Sequence, residues 1–283
     1  MKYAAPTPLD YFATLVAEDE SLNLLEAAIS LAQDDHPRLD VQASLAQVDA
    51  FARRLRERIG PETAPPDRLR LLTRFFHGEL GFAGNLNNYY AADNSFVHRV
   101  LETRRGIPIT LAVLLLELGE QAGLRMAGVA FPGHFLVKCR IGLGEVVIDP
   151  FTGEALSASR LDELLAVYRQ GSDLPNDLEL PLEFFLRAAT KRQILARMLR
   201  NLREVHRAAC DWPRLLAVQQ RLVVLLPGDA IERRDRALAL QAVGANAAAA
   251  EDLVFYLAEC GDAPDADALR DRLAELLAQR PKR

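Results

Sequence analysis

The stretch from Arg104 to Phe151, RRGIPITLAVLLLELGEQAGLRMAGVAFPGHFLVKCRIGLGEVVIDPF, constrains the fold of this chain more than any other. Ile107, Ile109, Leu111, Val113, Leu114, Leu115, Leu116 and Leu118 leave a helix there little polar surface, so it has to be enclosed on most sides. Pro108 suits the first turn, where its missing N–H would have had no intrahelical partner. Gly123 closes the helix as the residue just past its cap, where a positive φ costs least. Three short runs then read as strands: Ala127 to Phe131, Phe135 to Arg140 and Glu145 to Asp149. Pro132-Gly133 and Gly142 to Gly144 are the turns between them.

His134 opens one of these strands and Asp149 closes the next. Antiparallel pairing sets the start of one strand beside the end of the other, so the two side chains meet. A carboxylate there holds the imidazole tautomer and raises its basicity, as in nucleophile–His–Asp enzymes. A nucleophile is harder to find, because the first 138 residues contain no Cys. Cys139 lies five positions after His134 on the same strand, points to the other face and reads as a small buried hydrophobe. Thr110 is either a hydroxyl nucleophile or a donor bonded within the first helical turn.

A buried helix followed by strand, His, strand and Asp resembles the core of the transglutaminase-like, papain-related superfamily. In active members a Cys nucleophile stands at the N-terminus of that helix, where the helix dipole lowers its pKa. The resemblance puts that position at or next to Pro108, where this chain has no Cys. The segments RRGIPITLAVLLLELGEQAGL, GVAFPGHFLVK and VVIDPF, with GNLNNYYAADNSFVHRVLETRRG upstream, together resemble a narrower bacterial family. That family joins a transglutaminase-like domain to C-terminal tetratricopeptide repeats and is known as the SirB-type "regulator of sirC expression". The resemblance implies a regulatory role and establishes no reaction.

Gly81 to Ser95 is rich in Gly, Asn and Tyr, the residues of an ordered, hydrogen-bonded loop. By the resemblance it lines the same cleft as Pro108, Phe131 and Gly133. Asn87, Asn88 and Tyr89 either bind a ligand's polar groups or satisfy the loop's own backbone. Asn94 or Ser95 is the expected N-cap of a helix over 96–102. Earlier in the chain, hydrophobic periodicity predicts helices over 8–34, 41–59 and 67–80. His77 and His98 show no ligand-spaced companion, so no metal is assigned.

The irregular stretch from Gly171 to Pro181 is the expected boundary between a domain over 1–172 and a helical region over 182–283. Beyond it, helices are predicted over 182–209, 212–225, 230–243, 247–259 and 266–278. Breaks at Pro227-Gly228, Gly244 and Gly261 to Pro264 give a spacing near that of tetratricopeptide helix pairs. The expected fold class is α+β: a mainly helical, transglutaminase-like core with a small antiparallel sheet, then an all-α tetratricopeptide-like region.

A formal net charge of −5 over 283 residues leaves no basic footprint for nucleic acid. Three Cys without paired spacing argue against a disulfide framework or a Cys-based zinc site, which suits a reducing cytoplasm. The N-terminus lacks the apolar core of a signal peptide, and no uncharged apolar run reaches the length that spans a bilayer. Glycine-rich nucleotide loops and zincin motifs are absent, so no cofactor is expected. Two functions remain. One is a non-catalytic adaptor for a protein or peptide partner, of open oligomeric state. The other is a hydrolase or acyltransferase in which His134 is the base, Asp149 orients it, and Thr110 or water attacks.

Overall fold

The computed structural model describes residues 6–171 and 180–278. In chain order the helices are α1 (Pro8–Leu15), α2 (Leu24–Ser30), α3 (Val41–Arg56), α4 (Pro65–Thr73), α5 (Val97–Thr103), α6 (Pro108–Gln121), α7 (Ala158–Gly171), α8 (Leu182–Phe185), α9 (Lys191–Ala208), α10 (Trp212–Leu225), α11 (Ala230–Ala242), α12 (Asn246–Glu259) and α13 (Ala266–Ala278). The strands are β1 (Ala83–Gly84), β2 (Arg105–Gly106), β3 (Met126–Val129), β4 (Leu136–Ile141), β5 (Gly144–Ile148) and β6 (Ala155–Leu156). The chain is thus mostly helical with two small sheets, the class expected from its sequence. It divides into two compact units, one of Leu22–Ala32 and Arg38–Met198, the other of Met1–Ser21, Gln33–Pro37 and Leu199–Arg283. Residues 172–179, most of the stretch expected as a boundary, lie outside the described residues.

Helix α6 is the centre of the first unit. Pro108 occupies its first turn and Ile109 to Leu115 are all buried. Gly123 follows the cap at φ 75°, as its position predicts. Gly119 is required for close approach, since a Cβ there would run into the Met126 side chain on β3. Strands β3, β4, β5 and β6 form an antiparallel sheet in that order, with Val137 opposite Ile148 and Cys139 opposite Val146. Side chains alternate between faces. Leu136 and Val147 therefore pack with Phe131, Leu161 and Leu165, while Val146 and Ile148 turn to the other face.

The predicted helix over 8–34 is in fact two. Asn23 starts the second by capping α2, its Oδ1 accepting the Glu26 N–H at 2.9 Å. The predicted helix over 67–80 changes pitch after Thr73 and continues as a π-helix over Arg74–Glu79. Phe96, not Asn94 or Ser95, occupies the N-cap of α5, because those two belong to a 3-10 turn. The predicted helix over 182–209 breaks between α8 and α9, where Ala188 bridges to Val129.

In the second unit, α11, α12 and α13 share a core of Ala237, Leu240, Ala249, Leu253, Tyr256 and Leu269. Arginines anchor the helix surfaces. Arg236 grips Asp252 through two bonds of 2.6 and 2.7 Å, and Arg203 reaches Glu232 and Asp235 at 3.3 and 3.0 Å. The buried Arg221 is ion-paired with Asp34 and lies over the Phe12 ring. Among the described residues, no helix is long and apolar enough to cross a membrane.

Candidate functional site

The site begins at a turn. Pro132-Gly133, with Gly133 at φ 66°, brings the chain round so that the His134 N–H donates to the Phe131 carbonyl at 3.1 Å. Pairing of β4 with β5 then sets His134 beside Asp149, and His134 Nε2 lies 2.9 Å from Asp149 Oδ1. A carboxylate only accepts, so Nε2 donates to it. The pair is partly exposed, at 25% and 14% of the two side chains.

Asp149 does more than hold the imidazole. Its Oδ1 also accepts the Phe151 N–H at 2.8 Å, and its carbonyl accepts the Gly153 N–H at 2.8 Å. The turn after β5 is therefore built around this residue. Gly84 donates its N–H to the Phe151 carbonyl, and a Cβ at Gly84 would overlap the Phe151 ring. Tyr89 stands 6.2 Å from that ring, and burial raises its phenol above the ordinary range.

Thr110 is fully buried. Its hydroxyl donates to the Asn94 carbonyl at 2.5 Å and lies 3.2 Å from that of Ile107. It is bonded to backbone, and no hydrogen bond links it to His134 among the described residues. Pro108 is buried at the first turn of α6. Phe131 serves the site through its backbone, while its ring lies in the core with Leu161 and Leu165. Burial raises the Cys139 thiol, which disfavours a thiolate there.

Asn87 and Asn88 are exposed, and the loop is held by two other asparagines. Asn85 Nδ2 donates to Asn94 Oδ1 at 2.9 Å, and Asn94 Nδ2 donates to the carbonyls of Asn88 and Tyr89 at 2.5 and 3.0 Å. Sequence reasoning singled out the loop but chose its exposed members. The better signal was Asn94, three residues before a helix and short enough to bond backward.

Two further side chains stand at the site without having been expected there. Arg197 Nη1 donates to the Phe131 carbonyl at 3.2 Å, and burial weakens its hold on its proton. His77 donates from Nδ1 to the Phe82 carbonyl at 2.9 Å and packs against Gly153, where a Cβ would come within 2.7 Å of the ring. Burial depresses His77 protonation, opposed in part by the nearby charge of Asp149. No spacing rule in the sequence points to either. Among the described residues, no group of three His, Cys, Asp or Glu side chains could hold a metal ion.

Comparison with known proteins matches this architecture. A family model described as transglutaminase-like superfamily matches residues 42–200, and a tetratricopeptide repeat model matches residues 202–274. The chain is similar to the UPF0162 protein of Xylella fastidiosa (strain 9a5c), at 34% identity over 264 residues, 93% of each chain. It is similar also to the UPF0162 protein of Vibrio cholerae serotype O1, at 24% identity over 91% of this chain and 93% of that one. The UPF0162 protein YchA of Escherichia coli (strain K12) is 26% identical over 84% of this chain and 86% of its own. Among solved structures, a crystal structure of menin aligns with a TM-score of 0.44 at 10% identity, covering 93% of this chain and 67% of that one, too remote to carry an argument.

Proposed function

The chain belongs to the UPF0162 family, with a transglutaminase-like domain followed by a tetratricopeptide repeat, and from this we propose that it is a non-catalytic regulatory adaptor for a protein partner. Tetratricopeptide repeats generally mediate protein–protein interaction. The SirB-type resemblance, with its regulatory label, fits the same reading, as does a cytoplasmic location. We keep the division at 1–172 and 182–283 as the proposed domain organisation.

The observation that carries this reading is the N-terminus of α6. By the resemblance, the thiol of active relatives would stand at or next to Pro108, where this chain has no Cys, and the nearby hydroxyl of Thr110 is buried and bonded to Asn94. On this reading His134 and Asp149 fix the turn between strands, with Asn87, Asn88 and Tyr89 at the rim of a cleft that binds rather than reacts. The repeat offers exposed apolar side chains, Ile231 on α11 and Val254 on α12, for a partner.

One observation favours a second reading. His134 Nε2 lies 2.9 Å from Asp149 Oδ1, the arrangement in which a carboxylate orients an imidazole for proton transfer. In a hydrolase that imidazole would take a proton from water as the oxygen attacks an acyl carbon, and then pass it to the leaving group. Wild type, His134→Ala and Asp149→Asn, assayed on acyl and amide substrate panels with melting curves in parallel, separate the two. Turnover by the wild type that is lost in both variants while their melting curves show them still folded would establish the hydrolase. No turnover, with a bacterial partner captured by wild type and lost in Ile231→Glu or Val254→Glu, is the outcome expected of the adaptor.

A further inference from the structure

A cavity of about 590 Å³ opens between α4 with its π-helical continuation and the β4–β5–β6 end of the antiparallel sheet. That volume falls within the range of roughly 300–1,000 Å³ typical of small-molecule sites. Its position follows from strand alternation. Because Leu136 and Val147 are spent on the core beneath α7, Ile141, Val146 and Ile148 are left on the opposite face, and with Leu69 they make an apolar wall.

The polar groups around this wall share one character. Arg70, Arg74, His77, Thr73 and Thr152 line the cavity, and no carboxylate does. Arg70 is ion-paired with Asp67. Arg74 has no ion pair among the described residues, since Glu79, the acid its charge acts on, is ion-paired with Arg58. The Thr152 oxygen accepts the Glu154 N–H at 3.3 Å, which leaves its own hydrogen free to donate. His77 Nε2 is buried with no partner among the described residues, while Nδ1 is occupied by Phe82. Arg74 and Thr152 are exposed at the mouth of this apolar cavity, where a cation outside any ion pair and a hydroxyl donor stand beside a hydrophobic wall.

We infer that this cavity binds a small amphipathic carboxylate, its apolar body against Ile141, Val146 and Ile148 and its carboxylate on Arg74. Charge selects the class. A cationic ligand would meet two arginines and no acid, and a neutral hydrocarbon would gain nothing from Arg74 at the mouth. This site is independent of the adaptor reading and uses none of the residues proposed there.

The test is calorimetric titration of the full-length protein with decanoate, and with 1-decanol as the uncharged control. Decanoate is expected to bind saturably and at least tenfold more tightly than decanol. Arg74→Ala should remove most of that preference and leave decanol unchanged. Val146→Trp, which fills the cavity from β5, should abolish both. Should that variant fail to fold, Ala155→Trp at the exposed rim blocks the same space with less demand on the core. No saturable binding to wild type, equal affinity for the two probes, or unaltered binding in the folded blocking variants would each overturn the proposal. So would self-association of wild type that Ala155→Trp abolishes, which would assign the cavity to a second copy of the chain.

Discussion

The Thr110 hydroxyl donates to the carbonyl oxygen of Asn94 at 2.5 Å, inside the protein and sixteen residues away in sequence. This bond joins the first turn of the buried helix to the asparagine-rich loop, whose other bonds also converge on Asn94. Thr110→Val keeps the shape and removes the donor. A stability loss of about 0.5–1.5 kcal/mol is expected in urea unfolding, the net worth of one hydrogen bond, since the Asn94 carbonyl still accepts the Ile107 N–H at 3.4 Å. The same variant should speed hydrogen exchange in the 85–94 loop.

Asp149 should matter more than His134 for stability. Replacing Asp149 with Ala strands both the His134 ring and the Phe151 N–H, whereas His134→Ala removes only one of the carboxylate's two donors. The expected order in equilibrium unfolding is a loss of about 1–3 kcal/mol for Asp149→Ala and roughly 0.5–1.5 for His134→Ala. The reverse order would mean that the turn after β5 does not depend on its carboxylate.

His77 predicts a pH dependence of known sign. Burial holds its pKa below the ordinary value near 6.5, so the unfolded chain binds the proton more readily than the folded one. The stability associated with neutral His77 is complete above about pH 6.5 and declines as pH falls toward the depressed folded value. His77→Gln removes this titration, so the stability advantage of wild type over the variant should shrink as pH falls through the window. A difference that stays constant there, or grows as pH falls, would contradict the burial argument.

Arg221 carries a charge that is 2% exposed, with Asp34 as its ion-pair partner. Asp34→Ala leaves that charge unanswered beneath the surface. A cost near the lower end of about 3–5 kcal/mol is expected, since Asp34 itself retains some solvent. The double variant Arg221→Met, Asp34→Leu should recover much of this loss. Melting curves of the three proteins provide the comparison.

Gly153 combines a φ of 83° with a ring packed against its α-carbon. Gly153→Ala meets both obstacles, the left-handed backbone alone costing about 1–2 kcal/mol. The His77 ring must also move, so its NMR resonances should shift in the variant.

The parts of the fold written in local pattern were legible. Helix α6 announces itself through Pro108, an apolar run and Gly123, and the sheet through three short β-rich runs with glycine turns. The meeting of His134 and Asp149 followed from strand order alone. Elsewhere long-range partners decided the outcome. Asn23 reads as an ordinary helical residue until its side chain is seen on the Glu26 N–H. Residues 186–190 carry no strong breaker, and their departure from helix depends on Ala188 meeting Val129. The two-residue parallel pair of β1 and β2 is too short for any periodicity to reveal. His77, weighed only as a metal ligand, and Arg197 were not expected at the site for a related reason: each acquires its character from the groups that bury it, which sequence spacing does not record.

The π-helical segment after α4 is an α-helix holding one residue too many, closed by the Leu80 N–H on the Phe75 carbonyl. Removing a single residue from it, such as Gly78, would let the segment relax to the ordinary pitch. Every side chain beyond the deletion would then swing by about 100° relative to those before it, the angle of one α-helical step. Phe82 would no longer present its carbonyl to His77, and the floor of the cavity beside Gly153 would be lost. One extra peptide unit thus acts as a spacer that sets two surfaces in register.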